Sequence, residues 1–126
     1  MMSISERATP KIAEIPESER PLSEQWRIAA RQWVDAEAAA QLLEDLKTTS
    51  LEQFKQQLIE AEGDMPDSHA ERRVKSRPEW EKYIRDMVAA RKEANLCKVK
   101  LDWLRMKFAE WTSRDANARA EMRLTR

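Results

Sequence analysis

Glycine occurs once in this chain of 126 residues, at Gly63, cysteine once, at Cys97, and histidine once, at His69. A single glycine excludes most sheet folds, which depend on tight turns, and excludes phosphate-cradling loops, which need close backbone approach. A single cysteine excludes an internal disulfide. One histidine, in a polar loop beside Asp64 and Asp67, supplies too few converging ligands for a metal and no partner for a Ser–His–acid set. Runs of about 20 apolar residues are also missing, so no transmembrane helix is expected. Met1 to Arg20 is polar and carries no apolar signal-peptide core. From these absences we expect no catalytic residues, no metal site, no cofactor, no membrane association and a reducing, cytoplasmic location.

What the chain does contain favours helix. Ala, Glu, Arg, Leu and Lys, the strong helix formers, abound, and 37% of residues are charged. From Trp80 onward a stripe runs through Tyr83, Met87, Ala90, Ala94, Cys97, Leu101, Leu104, Phe108, Trp111, Asp115, Ala118 and Met122. Its 3,4 spacing predicts one long helix packed as a coiled coil, with Cys97 acting as a small hydrophobe. Asp115, the polar member, either fixes register or marks a frayed end. Pro78 suits the first turn of this helix, where its missing amide costs nothing. A second stripe, Leu22, Trp26, Ala29, Trp33, Ala36, Ala40 and Leu43, is widened by Val34, Leu42 and Leu46. Ser23 reads as its cap. Thr48 to Ser50 interrupt the pattern, and Thr49 with Glu52, or Ser50 with Gln53, forms a candidate capping box. Leu51, Phe54 and Leu58 continue on a shorter helix, and Gly63 is placed to end it.

The expected fold is all-α: an elongated antiparallel helical hairpin or coiled coil with a kinked or broken first arm and one long C-terminal helix. Residues 1–20 form a flexible N-terminal arm broken by Pro10 and Pro16. Residues 21–62 form the first arm, with its break near 48–50. Residues 63–77 connect, with a single helical turn capped by Ser68 and Glu71. Residues 78–124 form the long helix.

Two surface features bear on function. Leu96, Val99, Trp103 and Met106 form another apolar row, nearly opposite the main stripe. A tryptophan is seldom left in water, so this row is a candidate interface, for self-association into a homo-oligomer or for another protein. The charge is also divided: residues 1–68 hold 7 basic and 14 acidic residues, residues 69–126 hold 16 basic and 9 acidic. The two halves either pair with each other or leave the basic half for a polyanion. Arg72, Arg73, Lys75, Arg77, Lys82, Arg85, Arg91 and Lys92 are the candidate phosphate contacts, with Trp80 and Trp103 available to stack bases of single-stranded DNA.

Within Ala89 to Leu124, the residues Ala94, Lys98, Asp102, Leu104, Arg105, Phe108, Trp111, Ser113, Ala116 and the run Arg119–Leu124 resemble the C-terminal helix of small helical proteins encoded by bacteriophages and prophages. The resemblance covers about a third of the chain. It implies an accessory of recombination, replication or counter-defence, working in the host cytoplasm, rather than an enzyme. The functional expectation is therefore a non-enzymatic accessory that binds DNA or DNA-processing proteins in recombination or replication. The alternative is a protein-interaction module, a scaffold or an inhibitor of a host complex, acting through the outer face of the long helix.

Overall fold

A computed structural model describes residues 15–125, and among these the chain is helical with no strand. A 3-10 turn at Glu17–Glu19 precedes four α-helices: α1 (Leu22–Asp45), α2 (Lys47–Glu62), α3 (Asp67–Lys75) and α4 (Pro78–Leu124). The chain divides into two compact units, one built from residues up to Arg31 together with Val99 onward, the other from Gln32–Lys98.

The Gln32–Lys98 unit holds the clearest core. Leu58, Ala70, Val74 and Trp80 are buried together, with Leu51, Phe54, Met65, Tyr83 and Ile84 packed against them. Trp80 stands edge-on to Phe54 at 6.3 Å and stacks on Tyr83 at 5.6 Å, the two geometries favoured by ring quadrupoles. The second half of α1 runs antiparallel to the α4 segment of this unit. Tyr83 donates its hydroxyl to the Leu43 carbonyl, Arg91 bridges Glu37 and Glu44, and Lys98 lies 4.7 Å over the Trp33 ring. Ala40 and Ala94, both fully buried, permit close backbone approach there.

Four local expectations are corrected here. The interruption of the first arm falls at Leu46, not at 48–50; Thr49 and Ser50 lie inside α2 and no side chain caps it. Ser23 sits within the first turn of α1, and it is the Pro21 carbonyl that accepts from the Glu24 and Gln25 amides. Residues 67–75 make a nine-residue helix rather than one turn; Pro66 precedes it without a side-chain cap. That helix buries Ala70 and Val74, an apolar i,i+4 pair overlooked in a polar stretch. Val34, Leu42 and Leu46 face solvent instead of widening the first stripe.

Gly63 ends α2 as expected, its amide bonded to the Ile59 carbonyl at 2.8 Å. Its conformation, φ 94° and ψ 172°, lies in the extended positive-φ region rather than the left-handed helical one. That region is open essentially to glycine alone. Pro78 opens α4 as the sequence indicates.

In the other unit, Ala29, Leu101 and Leu104 are buried. Residues 15–20 are tied down: Glu17 pairs with Lys100 at 2.8 Å, Arg20 donates to the Ile15 carbonyl, and Gln25 donates to the Arg20 carbonyl at 2.7 Å. The rest of the expected flexible arm, residues 1–14, lies outside the described residues.

Candidate functional site

The basic cluster has a local structural use. Arg72, Arg73 and Lys75 occupy the last turn of α3, where cations complement the exposed carbonyls. Arg73 and Arg77 both reach Glu62, and Lys75 pairs with Glu71 at 2.9 Å. On α4, Lys82 pairs with Asp86 at 3.0 Å and Arg85 with Glu81 at 2.6 Å, both one turn apart. Arg91 is the most engaged, with one nitrogen 2.6 Å from Glu37 and a fork of 2.8 and 2.6 Å onto Glu44. Of the eight candidate phosphate contacts, only Arg72 and Lys92, both exposed, make no ion pair among the described residues. Of the two proposed stacking rings, Trp80 is 7% exposed and enclosed by the core, so no base reaches its face.

These pairs set the charge states. The bidentate hydrogen bonds from Arg91 hold the Glu44 carboxyl below its ordinary value, and Glu44 and Glu37 in turn raise Arg91. Arg73 lowers Glu62 in the same way. Lys55, the one buried charged residue described, is raised by hydrogen bonds to Asp67 at 2.7 Å and Glu52 at 2.9 Å. Sequence reading missed Lys55; its position one turn before Ile59, on a face bordering Leu51 and Leu58, was the available signal.

His69 is exposed on α3. Cys97 is half-buried with its sulfur 3.7 Å from Glu93. No group of three or more His, Cys, Asp or Glu able to hold a metal occurs among the described residues. The pocket beside Phe54, Val74 and Trp80 holds about 100 Å³, while open surface depressions are larger, about 300 Å³ beside Lys100 and Trp103 and about 540 Å³ beside Met106 and Arg114.

The uncovered surface lies elsewhere. The main stripe of α4 is inward-facing or half-buried through Leu104, and then it is not: Phe108 is 52% exposed, Trp111 60% and Met122 64%. From Arg105 to Thr125 every residue except Asp115 is exposed. Asp115 is not frayed; it lies within α4 and pairs with Arg119 at 2.7 Å. The second row is exposed as well. Leu96 belongs to the Gln32–Lys98 unit, while Val99, Trp103 and Met106 belong to the other, where Lys107 lies 5.1 Å over the Trp103 ring. Leu51, Phe54 and Leu58 are not available to cover this row, since they pack in the core around Trp80.

Where the cover of the stripe stops, a groove of about 270 Å³ opens between Leu22, Ser23 and Trp26 on α1 and Leu104, Arg105 and Phe108 on α4. Sequence periodicity identified the stripe but not its boundary, because the first arm's own stripe begins only at Leu22. Comparison with known proteins adds no relative: no protein-family model, no curated protein and no solved structure matches this chain.

Proposed function

We propose that this chain is a non-enzymatic interaction protein that docks a protein partner on the last third of α4. The observation that carries this reading is the exposure of Phe108, Trp111 and Met122 on one heptad stripe. Burying a large apolar side chain is worth about 1.5–3 kcal/mol, so three of them in water on one face, with Asp115 and Ala118 between Trp111 and Met122, support an interaction surface. Val99, Trp103 and Met106 extend the apolar surface around the helix and offer a second seam, for another copy of the chain or for the same partner.

Protein is favoured over DNA by the ion pairs. Arg73, Lys75, Arg77, Lys82, Arg85 and Arg91 each face a carboxylate, and a phosphate must displace it before binding. The test uses tagged full chain, in wild-type form and as the Phe108→Glu/Trp111→Glu variant. Wild type retains a stoichiometric protein partner, the variant loses it, and the two have the same far-ultraviolet circular dichroism. Equal retention by both overturns the reading. So does the absence of any protein partner combined with binding of single-stranded DNA at about 50 mM salt, where phosphate contacts are strong.

A further inference from the structure

We infer that the partner of this face is an amphipathic helix whose apolar seam is bordered by acidic residues. The inference rests on the docking reading above and adds the chemistry of the occupant. At about 100° per residue, Phe108, Trp111, Asp115, Ala118 and Met122 lie on one face. Arg105, Arg119 and Arg123 follow one border of that face, and no acid interrupts them. Lys107 and Arg114 follow the other border, where Glu121 is the single acid. In paired helices these border positions meet their counterparts and decide which partner is accepted. All of them are exposed, and Arg105, Arg114 and Arg123 make no ion pair among the described residues. The stripe's own carboxylate is already occupied, since Arg119 holds Asp115 at 2.7 Å.

A second copy of the chain fits this charge pattern poorly. Antiparallel pairing sets each border against itself, so the acid-free row Arg105, Arg119, Arg123 would face its own copy. Parallel pairing in register sets Asp115 against Asp115. Like charges directly opposed are destabilising in helix pairs. A nucleic acid fits the cations but not the seam, because bases stack on aromatic faces and gain little from Ala118 and Met122. An acidic-bordered helix satisfies both features. The groove between Leu22, Trp26, Leu104 and Phe108 gives its first apolar residue a seat where α1 begins.

The probe is a labelled helical peptide of about 21 residues, three heptads, with Leu at a and d and Glu at e and g; the control carries Lys at e and g. Anisotropy with the full chain is expected to show the Glu peptide binding at least about tenfold tighter than the Lys peptide, a gap that shrinks as salt rises from about 50 to 500 mM. The Arg105→Gln/Arg114→Gln/Arg123→Gln variant, whose changes lie on exposed positions, is expected to lose the preference and keep its circular dichroism. Equal affinity for the two peptides overturns the inference and leaves docking on the apolar face standing. Binding of neither peptide, with a wild-type dimer that Phe108→Glu/Trp111→Glu dissociates, overturns it in favour of a second copy. Displacement of the Glu peptide by a single-stranded oligonucleotide that binds more tightly overturns it in favour of nucleic acid.

Discussion

Trp80 and Trp111 stand on the same heptad stripe of α4 and live in opposite surroundings. Trp80 is enclosed by Leu58, Ala70, Val74, Phe54 and Tyr83; Trp111 is 60% exposed and its ring neighbour Phe108 is exposed too. The residue type and the spacing are the same, so the difference is supplied by what the chain lays over each. At Trp80, α2 and α3 provide a core. At Trp111, no described residue does. One repeat thus has two outcomes, a packed core at one position and an exposed ring at the other.

The largest expected effect that breaks the comparison is on folding. Trp80→Ala should cost about 3–5 kcal/mol, as large-to-small changes in a packed core do. Trp111→Ala should change stability by less than about 0.5 kcal/mol. Urea denaturation of both variants checks this, and similar losses at the two positions would mean that Trp111 is covered after all. Leu58→Ala, fully buried in the same cluster, should fall within about 2–5 kcal/mol.

A smaller effect is expected at Gly63. An added methyl group there meets nothing within 4 Å, so Gly63→Ala is opposed only by its backbone angles. The cost should be about 1–3 kcal/mol, again read in urea.

The smallest effect is electrostatic and belongs to the Gln32–Lys98 unit. The Glu44 carboxyl is held below its ordinary 4.5 in the folded chain. A depressed carboxylate contributes stability that is present above the unfolded value and is lost as pH falls through the folded one. Melting temperature should therefore decline as pH drops below about 4.5, and Arg91→Leu should flatten part of that decline. Glu62, lowered by Arg73, accounts for another part. A pH profile identical in wild type and Arg91→Leu would remove Arg91 from the account.

Much of the fold was legible because it rests on periodicity. The all-helical class, the start of α4 at Pro78 and the end of α2 at Gly63 follow from spacing and from proline and glycine chemistry. α3 was less legible, since only Ala70 and Val74 of its nine residues are buried and the rest read as a charged loop. Helix boundaries chosen from side-chain caps failed at Ser23, Thr49 and Ser68, because the structure starts those helices at Leu22, Lys47 and Asp67. The candidate surface was half legible. The exposed row of Leu96, Val99, Trp103 and Met106 showed in the sequence as an apolar line opposite the main stripe. The uncovered end of the main stripe did not, because a heptad pattern looks the same whether or not a partner lies on it.

Hydrogen exchange along α4, with and without the Glu-bordered peptide, tests the central claim most directly. Docking on the uncovered stripe is expected to slow exchange between Phe108 and Met122 and to leave the amides around Leu58, Val74 and Trp80 unchanged. Protection appearing between Arg72 and Lys92 instead, or nowhere on the helix, would contradict it.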